Sequence, residues 1–108
     1  MNYRVLLTTT SSKAEAKTIA NALVQSRVVA CVNIIPNISS IYRWEGNINE
    51  ENEFLLFIKT KKSKEREVEK LILKLHSYDV PEIISLPIES GSQKYLDWID
   101  ESLLQQIF

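Results

Sequence analysis

The stretch Glu53-Phe54-Leu55-Leu56-Phe57-Ile58-Lys59-Thr60 constrains this chain more than any other. Its apolar residues are consecutive, so a strand made from them puts hydrophobic side chains on both faces of whatever sheet it joins. The run Val5-Leu6-Leu7, followed by Thr8-Thr9-Thr10, has the same character. A chain of 108 residues must therefore find cover for two sides of one sheet.

The segments around these strands set out how. Ser12 with Glu15 three residues on reads as a capping box, and Ala16, Ile19, Ala20, Leu23 and Val24 then recur at helical spacing, predicting a helix to about Ser26. Residues 28–35 return to β composition, and Pro36 removes a ladder donor, which predicts a bulge or an edge position. Ile38, Ile41, Tyr42 and Trp44 continue that strand to the turn Glu45-Gly46-Asn47, where Gly46 makes positive φ cheapest. Strand two and strand three thus form an unusually long hairpin.

Ser63 is the predicted N-cap of a second helix, with Val68, Leu71, Ile72 and Leu75 as its buried stripe and an end near His76. Pro81 stops it, residues 83–86 make a fourth strand, and Pro87 limits pairing beyond. Gly91-Ser92 opens a last helix, whose Tyr95, Leu96, Trp98, Ile99 and Leu103 cover more than one face and so require packing. The order is β-α-β-β-α-β plus a helix. Right-handed crossovers place the two main helices on one face, which predicts an α+β, ferredoxin-like sandwich in a single domain, residues 1–108.

The second face of that sheet exceeds the few hundred Å² that a soluble monomer leaves bare, which predicts a homo-oligomer. Folding the last helix over that face within one subunit is the alternative.

Thirteen basic side chains set against 14 acidic ones leave a net charge of −1, giving no reason to expect nucleic acid or a membrane surface. No apolar run approaches the ~20 residues of a membrane-spanning helix, and Met1-Asn2-Tyr3-Arg4 leads into a strand without the pattern of an export signal. Cys31, the single cysteine, can form no intrachain disulfide, so a reducing, cytoplasmic setting is expected. With Gly46 and Gly91 the only glycines, neither a dinucleotide fingerprint nor a P-loop can be written. No organic cofactor is expected, and no motif singles out a nucleophile.

Candidate chemistry gathers in His76-Ser77-Tyr78-Asp79-Val80-Pro81-Glu82. His76, with Asp79 and Glu82 near in sequence, has the donors for Cu(II) or Zn(II); the alternative, and the one the sequence favours, is a cap on the free carbonyls at a helix end. Cys31 is either a soft metal ligand or a small buried side chain within Val28-Val29-Ala30-Cys31-Val32. Glu53 and Lys59 share one side of their strand. If a neighbouring subunit brings Tyr78, Glu82 or Trp98 against them they line a polar pocket with aromatic walls; otherwise they are rim contacts. Lys61, Lys62 and Lys64 read as an anion receptor at a helix start or as a solvated linker.

Ala30-Cys31-Val32-Asn33-Ile34-Ile35-Pro36, Ser40-Ile41-Tyr42-Arg43-Trp44-Glu45-Gly46, Ile58-Lys59-Thr60, His76 to Ile83 and Tyr95-Leu96-Asp97-Trp98-Ile99 together resemble the CutA divalent-cation tolerance family. The resemblance spans almost the whole chain. It implies a ferredoxin-like subunit in a compact homotrimer similar to PII-type signalling proteins, with a role in tolerance of copper and other divalent cations. It also implies metal or a small ligand held where subunits meet. In some bacterial members a cysteine ending the first strand and paired histidines are thought to hold copper; here Thr8 and Leu75 stand at those positions, leaving His76. From the residue chemistry above, the expected site residues are Glu53, Lys59, Tyr78, Glu82 and Trp98 for ligand, and His76, Glu82 and Cys31 for metal. An enzyme acting on a small polar substrate in such a cleft, or a trimeric scaffold, are the other readings.

Overall fold

A computed structural model describes residues 2–104. The elements run β1 (Tyr3–Thr10), α1 (Lys13–Gln25), β2 (Cys31–Trp44), β3 (Asn47–Lys61), a 3-10 turn (Lys62–Lys64), α2 (Glu65–Leu75), β4 (Ile84–Pro87) and α3 (Gln93–Leu103). The four strands form one sheet in the order β2-β3-β1-β4, with every neighbouring pair antiparallel. This is the ferredoxin-like arrangement that the crossover argument predicts.

Strand alternation sorts the side chains. Leu6, Leu56 and Ile58 face α1 and α2, where Ala16, Ile19, Leu23, Val68 and Ile72 close over them to make the main core. Thr60 is buried on the same face without penalty, because its hydroxyl donates to the Val28 carbonyl at 2.7 Å. Arg4 and Ser85 meet Glu65 at 3.2 and 2.7 Å, which fixes the start of α2 on β1 and β4.

The opposite face carries Val5, Leu7, Leu55, Phe57, Ile35, Ile84 and Leu86. Here α3 supplies partial cover: Leu96, Ile99 and Leu103 bury themselves against Ala30 and Tyr3 as a second, smaller core. Tyr3 donates its hydroxyl to Asp100 Oδ2 at 2.7 Å, and Lys61 Nζ lies 2.7 Å from Asp100 Oδ1, so α3 is pinned at one end of the face. Past it, Ile84 and Leu86 each remain 47% exposed. The intramolecular alternative is therefore realised at one end only.

Beyond the Thr10–Phe54 pair β1 stops, and β2 and β3 run on as a two-stranded ribbon from the Ile38–Glu53 pair to Trp44–Asn47. The register breaks between Ile35 and Ile38, where Asn37 takes φ 58°; this is the bulge expected at Pro36. The ribbon closes on a two-residue turn with φ 51° at Glu45 and 80° at Gly46, the pattern that matches strand twist. Ile41, Trp44 and Ile48 are 67, 58 and 69% exposed along it.

Three local expectations need correction. Strand two begins at Cys31 instead of Val28, because the chain is still closing α1: Arg27 takes φ 58°, its N–H donates to Val24, and the Val28 N–H donates to Leu23. A non-glycine residue held left-handed costs about 1–2 kcal/mol. Ser63 caps nothing; it lies in the 3-10 turn, and α2 starts after Lys64 without a side-chain cap. The capping box at α1 is half made, since Ser12 accepts from the Glu15 N–H while the Glu15 carboxylate turns to another partner.

Candidate functional site

That partner is the segment after α2. His76 ends the helix with its own N–H on the Ile72 carbonyl at 2.8 Å, then leaves it in extended conformation. Its side chain is fully enclosed. Nε2 is 2.7 Å from the Thr9 carbonyl oxygen, an acceptor only, so this nitrogen carries the proton and donates. Nδ1 then accepts from the Tyr78 N–H at 3.1 Å. Glu15 Oε2 accepts from the Ser77 N–H at 3.0 Å, and its Oε1 lies 3.9 Å from His76 Nδ1. His76 thus ties α2 to β1, not to its own helix's carbonyls as a simple end cap would.

Tyr78 follows, its ring centroid 4.7 Å from that of His76. Its hydroxyl donates to Glu53 Oε2 at 2.7 Å, and Glu53 is buried on β3. Burial, then the Glu53 hydrogen bond and charge, hold the phenol proton far more tightly than in an ordinary tyrosine, a shift that Ser11 opposes only in part. Tyr78 therefore keeps its proton, in the bond to Glu53.

The other polar group stands near α3. Lys59 Nζ sits 5.5 Å above the Tyr95 ring, in cation–π range, and Tyr95 and Trp98 rings are 5.4 Å apart. Tyr95 and Trp98 are both exposed. Cys31 faces Lys59 across the β2–β3 ladder and is half-buried, contrary to the enclosed side chain that its apolar neighbours suggest. The reason is strand parity: Val32 and Ile34 point into the core, so Cys31 points out of it.

The five ligand candidates consequently divide. Glu53 and Tyr78 are joined, and Lys59 stands beside α3, about 20 Å farther along β3 at ~3.4 Å per residue. Glu82 is exposed and, among the described residues, makes no hydrogen bond or ion pair. The three metal candidates do not meet within one chain either. Cys31 is level with Val5 of β1 and His76 with Thr9, about 13 Å apart along the strand. Among the described residues no group of three His, Cys, Asp or Glu side chains is placed to hold a metal ion. With both ring nitrogens of His76 engaged, these donors do not fit a resident cation in a single chain.

Sequence reading missed Glu15, Thr9 and Asp100 as partners. Glu15 carries a helix-start signal that hides its long-range role, Thr9 acts through its backbone, and Asp100 has no local marker at all. The lysines 61, 62 and 64 do not act together: Lys61 holds Asp100 and Lys64 lies 3.5 Å from Glu67.

A four-stranded antiparallel sheet with two helices on one face and polar groups posted at the ends of the other defines a ferredoxin-like α+β protein. The family model described as CutA1 divalent ion tolerance protein matches residues 4–102. The divalent-cation tolerance protein CutA of Thermus thermophilus is 47% identical over 98 residues, which is 91% of this chain and 95% of that one. A solved structure of that organism's protein superposes with a TM-score of 0.90 at 46% identity, covering 93% of this chain and 97% of the other. CutA1 from Oryza sativa gives 0.93 at 38% identity, over 98 and 97%. The chain belongs to the CutA1 divalent ion tolerance family. It spans about half the length of several plant and animal relatives, such as 47% of human protein CutA, to which it is 46% identical over 84 residues and 78% of its own length.

Proposed function

We propose that this chain serves divalent-cation tolerance, copper included, as a PII-like homotrimer that binds a small polar ligand in clefts between subunits. The observation that carries this is the separation of Glu53–Tyr78 from Lys59–Tyr95–Trp98 along an incompletely covered apolar face. A neighbouring copy laid on that face hides its apolar residues and sets one chain's polar group beside another's. Tyr78, its one proton committed to Glu53, would supply an accepting phenol oxygen beside the Glu53 carboxylate, and Lys59 with Tyr95 and Trp98 a cation on an aromatic shelf.

A cation would be shared between copies, through the exposed Glu82 carboxylate and Cys31, whose thiol donates to Asn33 Oδ1 at 3.9 Å and keeps its sulfur lone pairs; His76 would first have to surrender the Tyr78 amide. The single thiol of Cys31 supports a reducing, cytoplasmic setting. Sedimentation velocity tests the assembly, with one species at three times the subunit mass expected and stable single subunits refuting it. Calorimetric titration of metal-free protein with Cu(II) and Zn(II) tests the cation. Weak, saturable binding that survives His76→Ala and falls in Glu82→Gln and Cys31→Ser is expected; loss in His76→Ala alone contradicts the reading.

A further inference from the structure

We propose a second ligand site, where the end of α1 meets the end of α3, that takes a small carboxylate bearing a short apolar tail. A cleft of about 310 Å³ opens there, lined by Val24, Gln25, Arg27, Val29, Ala30 and Ser102. That is at the lower end of small-molecule pockets, about 300–1,000 Å³. None of the residues assigned above to ligand or cation lines it.

Arg27 is its one charged group. A guanidinium offers five N–H donors, and the structure uses one group of them: Nη1 donates to the Ser102 carbonyl at 3.2 Å. Among the described residues Arg27 has no carboxylate partner, and no acidic side chain lines the cleft. The contact with Ser102 fixes one end of the guanidinium beside the cleft and leaves donors to spare.

The backbone makes the same point independently. Arg27 occupies the left-handed position that closes a helix, with Val28 N–H on Leu23 and Arg27 N–H on Val24. Glycine is the residue that this motif prefers. The chain instead holds an arginine there against the local conformational preference, and strain of this kind persists only where the surrounding structure holds it.

The walls choose among anions. Val24, 45% exposed, presents apolar surface beside the guanidinium, above Val29 and Ala30, which are buried beneath it. Inorganic phosphate would satisfy the charge and leave those walls wet, and an alkylammonium would meet a like charge. A carboxylate pairs with the fork in two parallel hydrogen bonds, and its short tail covers Val24.

Nitrogen-15 NMR titration of the full chain with sodium hexanoate tests this, with phosphate and hexylammonium at matched ionic strength as controls. Saturable shifts at the Val24, Arg27, Val29 and Ala30 amides with hexanoate alone are expected. Arg27→Gly removes the guanidinium and supplies the residue the backbone favours, so affinity should fall about tenfold or more in a folded protein. Val24→Glu, which sets a competing carboxylate at the mouth, should abolish binding without touching Arg27, and it decides the matter should Arg27→Gly fold poorly. Hexanoate shifts that never saturate, equal response to either control, or unchanged affinity in Val24→Glu overturns the proposal.

Discussion

The two faces of the sheet answer one problem differently. On the inner face, Leu6, Leu56 and Ile58 are sealed by two helices of the same chain and are almost without solvent contact. On the outer face, one short helix seals only the end near Tyr3, and Leu7, Phe57, Ile84 and Leu86 are left half-buried or exposed. Since the strands alternate, both faces are built from the same few segments. The inner face makes the subunit, and the outer face leaves apolar surface bare.

The sharpest way to break this contrast is Leu56→Ala. It empties the inner core, and urea unfolding should show a loss of about 2–5 kcal/mol. Tyr78→Phe comes next: it strands the buried Glu53 carboxylate, which should cost about 1–3 kcal/mol by the same measurement at fixed protein concentration. Leu86→Lys on the outer face should change the subunit's own stability by only about 0.5 kcal/mol, while sedimentation should show the proposed trimer dissociating. If it leaves the assembly intact, the outer face is not where copies meet.

The smallest effect concerns the pin at the covered end. Lys61 first, and then Tyr3, hold the Asp100 carboxyl below its usual range. A carboxyl lowered in the folded state binds fewer protons there than when unfolded, so its contribution is present above the ordinary carboxylate value and fades as pH falls through the lowered one. Acid titration below about pH 4, followed by Trp98 fluorescence, should show α3 loosening before the rest of the subunit. Asp100→Asn should remove that early step.

Much of this fold is legible locally. The helical stripes, the Ser12 cap, the bulge after Pro36 and the turn at Gly46 are each encoded within a few residues, and each stands where periodicity and turn chemistry put it. What escapes is long-range. His76 finds Thr9, Ser77 finds Glu15 and Tyr78 finds Glu53, contacts that no spacing announces. Ser63 misleads because Lys62 is first tied back to Asn2 at 2.7 Å, which tightens the chain into a 3-10 turn before α2 starts. Cys31 misleads because a run of apolar residues conceals which way each one points. For the candidate site, residue types were readable and their grouping was not.

The strand order has a last consequence, in time. β1 lies between β3 and β4, yet both of its partners are made after it. At about 5–20 residues per second, a ribosome leaves this strand single for a few seconds before Phe54 and its neighbours emerge. The threonines Thr8, Thr9 and Thr10, which can hydrogen-bond to water in the meantime, temper the stickiness of Val5, Leu6 and Leu7 during that wait. Replacing Thr8 and Thr9 with valines would raise the burden on chaperones in the cell, while Thr10 keeps its bond to the Ser12 carbonyl at 2.9 Å.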